Sequence, residues 1–255
     1  MLKTKRLDLI QEYIIENGSV SLDELVEKFE VSKNTIRNDV QTLVETGDFK
    51  KIYGGVTVDI PSVTVPFRER QIRNQSEKLL ISKMAAEYVE DGDIIFIDSG
   101  TTTVGMVDYI KDKELTIITN NIDFIVRALP YEKLNIYSTG GMVERKTNSL
   151  TSAENDEIIA SYNINKAFLA STGLSIKNGV TNSLPIESGM KRKVVKRSAE
   201  VFLLVDESKF DKASLTTYCN LDEIDYLVTN KIPEEYSQYA EQNNIRVVLS
   251  EEKLG

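Results

Sequence analysis

The sequence predicts an α/β chain in two parts: a small N-terminal winged helix-turn-helix, then a larger, mostly parallel α/β domain of Rossmann-like layout. Three observations carry this. Two helix-start signals stand eleven residues apart, at Ser21 and Ser32, which leaves room for only a short helix between them. From Glu77 onward, continuous apolar runs alternate with helical patterns, as strands buried on both faces require. Finally, 255 residues exceed a winged-helix module by roughly 190, so a second domain of ordinary size is needed.

Leu7, Ile10, Tyr13 and Ile14 recur at helical spacing and predict a first helix ending before Gly18. Val20 to Glu24 reads as a capping box: the Ser21 hydroxyl accepts from the Glu24 amide while Glu24 reaches back, and Val20 staples onto Leu25. The staple repeats with Val31, Ser32 as N-cap, and Ile36. The second helix then runs from Leu22 to about Phe29, which is helix-turn-helix spacing. On the third helix, Ile36, Val40, Leu43 and Val44 share a stripe that should face Leu22, Leu25, Val26 and Phe29, and Gly47 ends it. The opposite face carries Asn34, Thr35, Asn38 and Gln41. Asn and Gln can bond adenine N6 and N7 together, and Thr suits a thymine edge. Lys33 and Arg37 flank this face, where phosphate contact is expected. Asp48 to Gly55 reads as a two-stranded wing that brings Lys50, Lys51 and Tyr53 toward a duplex backbone.

A small helical packing domain with ordinary caps is the plainer account of these features, and charge does not argue against it. Residues 1–60 hold 8 Lys and Arg against 11 Asp and Glu, whereas a nonspecific nucleic-acid binder is basic overall. Thr57 to Gln75, with Pro61, Pro66 and the charged run Arg68-Glu69-Arg70, reads as a linker turning helical near Ser76. The expected division is 1–57, a linker over 58–75, and 76–255. No apolar run of 18 residues and no signal-peptide h-region is seen, so a soluble, cytoplasmic chain without membrane contact is expected. The single cysteine, Cys219, excludes an internal disulfide. The absence of histidine removes the usual centre of zinc-hydrolase and triad chemistry, so no catalytic residue, metal or cofactor is expected.

Strands are predicted at Ile94–Ile97, Leu115–Thr119, Leu134–Tyr137, Lys166–Ala170, Val201–Val205, Tyr226–Val228 and Ile245–Leu249. Helices are predicted around Leu79–Val89, Thr103–Ile110, Ile122–Ala128, Met190–Ser198 and Pro233–Gln242. Polar residues gather after the strand ends, where open α/β sheets bind ligands. Asp98, Gly100, Thr101 and Thr102 follow the first strand and open a helix, where glycine permits a tight turn and free amides suit an anion. Asn120 follows the second strand and Gly141 the third. Glu187 and Lys191, then Asp206 and Lys209, come later. Carboxylates accept from hydroxyls while Lys neutralises phosphate, so the mixture suits a polyol bearing an anion. Each element has a duller account: a capped helix entry for 98–103, an exposed i,i+4 pair for Glu187 and Lys191, and a turn for Asp206 and Lys209.

The chain resembles the DeoR-type family of sugar-metabolism transcriptional repressors over essentially its whole length. The resemblance rests on Arg6, Gly18-Ser19-Val20, Glu24-Leu25, Phe29, Val31-Ser32, Thr35-Ile36-Arg37, Asp39, Leu43, Gly47 and Gly54-Gly55. In the second part it rests on FIDSGTTT at 96–103, ITNN at 118–121, TGG at 139–141, Glu187 with Lys191-Arg192, and LLVDESKF at 203–210. It implies a sensor domain similar to ribose-5-phosphate isomerase, a phosphorylated-sugar effector, double-stranded operator DNA, and a homo-dimer or homo-tetramer. Carried over, the ligand-facing set is Asp98, Gly100, Thr101, Thr102, Asn120, Gly141, Glu187, Lys191, Asp206 and Lys209. The chain departs from the family pattern at Asn38 (usually Arg) and Tyr53 (usually His), which bear on operator preference. It also departs at Ser152 and Asp211 (usually Gly), Glu207 (usually His) and Asn230 (usually Asp), which bear on effector fit. The expectation is a repressor of a sugar or polyol catabolic operon, relieved by a phosphorylated sugar. The rivals are a sugar-phosphate isomerase or deaminase with Glu187 or Asp98 as base, and an assembly module with Asn34, Asn38 and Gln41 at a protein interface.

Overall fold

The computed structural model describes residues 3–17, 19–45, 49–58, 66–152 and 155–250. It divides into two compact units, Met1–Val63 and Thr64–Gly255. In the first, α1 (Lys3–Asn17) leads through β1 (Ser19–Ser21), α2 (Leu22–Phe29) and α3 (Lys33–Glu45) to β2 (Phe49–Ile52) and β3 (Gly55–Val58). The expected stripe forms the core: Ile36, Val40 and Leu43 are buried with Leu25, Ile10 and Ile14, and Leu22, Val26, Phe29 and Val44 flank them. Both N-caps form, with Ser21 Oγ accepting from the Glu24 amide at 3.1 Å and Ser32 Oγ from the Thr35 amide at 3.2 Å.

Two expectations for this unit are corrected. The Glu24 carboxylate does not complete a capping box but accepts from the Tyr13 hydroxyl at 2.9 Å, a partner on α1 that local sequence cannot reveal. The wing is also not two-stranded, because β1 joins it in the order β1-β3-β2, with Val20 opposite Val56. Gly55 serves this pairing: a Cβ there would stand 2.3 Å from the Val20 carbonyl oxygen. Gly18, Gly47 and Asp48, expected at helix ends and at the start of the wing, lie outside the described residues. One contact was not anticipated. Arg6 donates to Asp39 through Nε (2.6 Å) and Nη2 (3.3 Å), and Asp39 is buried on the inner face of α3. This fork ties α1 to α3 and fixes how α3 presents its outer face.

The second unit begins earlier than expected. Of the segment read as a linker, 59–65 lie outside the described residues, but Phe67–Ile72 is a helix, α4, and Phe67 is buried in the core. There follow α5 (Gln75–Ala86), β4 (Ile94–Ile97), a 3-10 turn (Thr103–Met106) running into α6 (Val107–Ile110), β5 (Leu115–Thr119), α7 (Ile122–Ala128) and β6 (Leu134–Ser138). Next come β7 (Met142–Glu144), β8 (Ser149–Thr151), α8 (Asn155–Ala160), β9 (Ile164–Ala170), β10 (Gly173–Ser175), β11 (Gly179–Asn182) and α9 (Pro185–Arg197). The unit ends with β12 (Ser198–Leu204), β13 (Thr216–Cys219), β14 (Tyr226–Thr229), α10 (Glu234–Gln242) and β15 (Arg246–Leu249).

All seven expected strands join one sheet in the order β15-β14-β12-β9-β4-β5-β6, and every pairing in it is parallel. Alternate residues serve opposite cores. Phe96, Ile118, Leu169 and Leu203 meet Met190 and Val194 of α9 and Tyr236 of α10. Ile95, Ile117, Phe168 and Phe202 meet Ile81 and Ala85 of α5, Val107 of α6 and Phe124 of α7. Each such buried side chain contributes about 1.5–3 kcal/mol. Both faces must therefore be apolar, hence the unbroken hydrophobic runs. The β7-β8 hairpin, α8, and the antiparallel β10-β11-β13 sheet were not anticipated. The chain winds from β4 outward to β6, then returns to place β9 on the other side of β4. Between β4 and β9 the winding reverses, and the carboxyl ends of strands at such a point are where open α/β sheets bind ligands.

Candidate DNA-reading face and sensor crevice

On α3, Asn34, Arg37, Asn38 and Gln41 are exposed while Thr35 is half-buried, as the wheel predicts. Ser32 spends its hydroxyl on the N-cap and on Thr35 Oγ1, 2.9 Å away. Lys33 pairs with Asp23 of α2 at the surface. Gln41 is engaged: its amide nitrogen donates to Glu45 at 2.8 Å and its oxygen accepts from Lys51 of the wing. That bridge fastens β2 to α3. Tyr53 is fully exposed at the wing tip beside Gly54, whose φ of +78° makes the two-residue turn.

In the second unit, Asp98 ends β4 at the switch point and is fully buried. Its Oδ2 accepts from the Ala170 amide of β9 at 2.9 Å and pairs with Lys191 Nζ at 2.7 Å. Lys191 also donates to the Ala170 carbonyl at 2.8 Å and stands 5.2 Å from the centre of the Tyr218 ring. Lys191, expected to neutralise phosphate, is thus held inside the protein as the counter-ion of Asp98. Glu187, one turn earlier on α9, accepts from Ser149 Oγ at 2.8 Å and Asn182 Nδ2 at 3.0 Å. The exposed i,i+4 pair is ruled out, because both residues are buried and each pairs elsewhere.

Gly100 is glycine for a reason other than a turn: its φ is not in the left-handed region, but a Cβ would stand 2.4 Å from Ala170 Cβ. Thr103 Oγ1 closes the loop, 2.6 and 2.9 Å from the carbonyl oxygens of Asp98 and Gly100. Thr102 is buried, with its carbonyl accepting from Ser82, and Thr101 is half-buried. Gly141 takes φ +107° where a Cβ would stand 2.3 Å from the Thr151 carbonyl oxygen, so it shapes the loop after β6. Asn120 is completely buried, yet neither atom of its side-chain amide has a protein partner. Asp98 Oδ1 and Ser171 Oγ, at neighbouring strand ends, share that condition. Asn121, by contrast, caps α7 and donates to the Asp98 carbonyl at 3.0 Å.

Asp206 follows β12 and caps a 3-10 turn. Burial pushes its carboxyl up, but Lys209 and hydrogen bonds from Ser208 and Asn74 outweigh this, leaving it below its ordinary value. Lys209 is pushed down by burial and by Arg70, Lys212 and Arg73, against the pull of Asp206. Burial, and after it the charge of Lys209, brings Lys78 of α5 down to about 8. Arg70 of α4 is likewise lowered by burial, against the carboxylates of Glu187 and Asp98. Arg70 and Lys78 are the cations that sequence reasoning missed. The prolines and charged run hid the helix that carries Arg70, though Phe67 three residues before it marks one helical face. No His, Cys, Asp and Glu cluster able to hold a metal occurs among the described residues, and no helix there is long and apolar enough to cross a membrane.

Residues 6–61 match the DeoR-like helix-turn-helix domain and residues 73–231 the DeoR C terminal sensor domain. The HTH-type transcriptional regulator IolR of Bacillus subtilis is 40% identical over 98% of this chain and 100% of its own length. The lactose phosphotransferase system repressor of Staphylococcus epidermidis is 31% identical, covering 90% and 93%. The glycerol-3-phosphate regulon repressor of Escherichia coli is 28% identical, covering 91% and 93%. Among solved structures, a D-ribose-5-phosphate isomerase with phospho-erythronic acid aligns over 53% of this chain and 54% of its own at 15% identity and TM-score 0.40. With its two domains matched in order and a relative 40% identical from end to end, the chain belongs to the DeoR family of helix-turn-helix transcriptional regulators, DNA-binding proteins rather than enzymes.

Proposed function

We propose that this regulator represses a sugar or polyol catabolic operon and releases its operator when a phosphorylated sugar enters the crevice at the carboxyl ends of the sheet. One observation carries the reading. Asp98 Oδ1, both amide atoms of Asn120 and Ser171 Oγ are buried without protein partners at adjoining strand ends. Such groups cost about 1–3 kcal/mol each unless something bonds them. Together they offer acceptors and donors suited to neighbouring hydroxyls, beside a cation-rich corner suited to a phosphate. Two relatives, repressors of a lactose phosphotransferase system and of a glycerol-3-phosphate regulon, fit that chemistry by name. The ligand-facing set is then Asp98, Thr101, Asn120, Asp206 and Lys209, with Gly100, Gly141, Glu187 and Lys191 shaping and holding it. The DNA-facing set is Asn34, Thr35, Arg37, Asn38, Lys51 and Tyr53, with Ser32, Lys33 and Gln41 bracing it. Two reading heads are needed, since one buries too little duplex for tight selection, so the regulator acts as a homo-oligomer.

DNA that the purified protein selects from a random pool serves as operator. Aldose, ketose and polyol phosphates are then added beside their unphosphorylated parents. At least one phosphorylated compound should release the DNA, its parent should not, and no isomer or ammonia should form. Equal release by parent sugars would refute the phosphate requirement, and repeated turnover lost in Glu187→Gln would make the protein an enzyme.

A further inference from the structure

Two strands stand at the open edges of the main sheet, β15 and β6, and each pairs on one side only. An open edge presents a row of unpaired amides and carbonyls, and edges that stay single are guarded by charge, proline or a bulge. β15 opens on the exposed Arg246, and Glu251, Glu252 and Lys253 follow it in sequence. β6 has no such guard: residues 134–143 carry no charge at all, in a chain of net charge -9. Its hydrogen bonds fix which groups look outward. The Lys133 carbonyl accepts from the Leu115 amide at 3.1 Å and the Thr139 amide donates to the Thr119 carbonyl at 3.0 Å, both on β5. Successive residues turn their backbone groups to opposite sides, so 133, 135, 137 and 139 serve β5 while 134, 136 and 138 face the edge. The Leu134 amide is taken by the Tyr131 carbonyl at 3.0 Å. Among the described residues, the Leu134 carbonyl and the amides and carbonyls of Ile136 and Ser138 have no strand beside them.

Apolar surface borders the same edge. Val126 and Leu129 beside it on and after α7, Tyr137 of β6, and Met142 and Val143 of β7 are each more than half exposed. α7 keeps its charges off this stripe: Asp123 accepts from Asn148 at 2.9 Å and Arg127 pairs with Asp108 at 2.6 Å. Ile136 lies on the face of the sheet that α7 covers. Tyr137 lies on the other face, its ring centre 6.4 Å from that of Tyr162. We infer that β6 is the surface on which two copies of this chain join, antiparallel about a two-fold axis at Ile136, so that their sheets become one. A strand can pair with its own copy only if its outward donors and acceptors match on reversal. These do. Ile136 exchanges both bonds with its counterpart, and each Ser138 amide reaches the Leu134 carbonyl of the other copy, which sets Asn135 opposite Tyr137. Two chains of the same net charge meet with least repulsion along an uncharged strip. The nearest charges, Glu132 and Lys133, then meet the neutral turn at Thr139 and Gly140. The pairing presupposes the homo-oligomer of the proposed function, to which it assigns a surface.

The test uses the full-length protein, with sedimentation equilibrium for assembly and anisotropy for operator binding. Wild type should form a dimer or a multiple of it. Ser138→Pro alters an exposed side chain and removes an amide that no strand of the same chain uses, so the sheet is kept and the pairing is not. It should raise the dimer dissociation constant about 10- to 100-fold and weaken operator binding at low protein concentration. Leu129→Glu, which sets a charge on the exposed apolar stripe, should act in the same direction and serves if Ser138→Pro does not fold. Asn135→Cys and Tyr137→Cys chains, mixed and oxidised, should give a disulfide-linked dimer that neither gives alone. The native cysteine, Cys219, is buried and does not interfere. Undiminished association in Ser138→Pro and Leu129→Glu, or a mixture no more cross-linked than its parts, overturns the edge pairing while leaving the homo-oligomer standing. A wild-type chain that stays single at concentrations that saturate operator defeats the homo-oligomer, and this inference with it.

Discussion

Asn120 keeps a completely buried amide without a protein partner, although a leucine of similar size would fill the same space. Retaining it costs the ligand-free protein about 1–3 kcal/mol. Asn120→Leu should therefore raise unfolding stability in urea by about that amount, with the m-value unchanged, while abolishing effector response. A loss of stability would show that ordered water already satisfies the amide. Asp211 makes a second point at this scale. It stands at φ 57°, a conformation that glycine takes without strain, which accounts for a family habit of glycine there. Here the Tyr236 hydroxyl donates to Asp211 Oδ1 at 2.7 Å and accepts from its amide at 3.2 Å, giving aspartate a compensation glycine lacks. The departure was visible in sequence. Its partner, 25 residues away, was not.

The elements of the main sheet were legible because a parallel strand buried on both faces must be apolar throughout, as Ile94–Ile97 and Leu115–Thr119 are. β10, β11 and β13 are three or four residues long and rich in Gly, Thr, Asn and Ser, so no periodicity can develop. The helix α4 failed for another cause: its identity depends on Phe67 reaching a core that the local sequence does not show. In the first unit the α3 pattern was readable, but the Gln41–Lys51 bridge to the wing was not. That bridge separates two predictions. Asn38→Ala should weaken operator binding by about 1–3 kcal/mol, at one or two base positions in an operator-mutation series. Lys51→Ala should weaken binding alike on all sequences and lower the salt slope by about one. An unchanged base preference in Asn38→Ala would remove its reading role.

At the scale of the whole molecule, reading and sensing are divided between two units, so regulation requires a coupling free energy between distant sites. Thermodynamic linkage makes that coupling reciprocal. If effector raises the operator dissociation constant, operator must raise that of the effector by the same factor, typically about 5- to 150-fold. Titrating each ligand at several fixed levels of the other measures both factors. Independent binding would show that the crevice is not the switch, and a joint rise in affinity would make the protein a co-repressed regulator or an activator. The resemblance to known repressors made the division into units readable. The candidate site needed the fold, because its carboxylate and lysine come from the end of β4 and from α9 and meet only when β9 returns beside β4.

That return also orders events in time. The DNA-reading unit is complete once Val63 has been made. Asp98 must wait for Ala170, 72 residues downstream, before its carboxylate has a backbone partner, and longer still for Lys191. β4 cannot take its central place until β9 exists, and sheets closed by distant parallel pairings assemble slowly. At about 5–20 residues per second, the second unit needs roughly 10–40 s of synthesis, with amino-terminal domains generally folding first. During that interval a nascent chain carries a finished reading head and no means of responding to sugar.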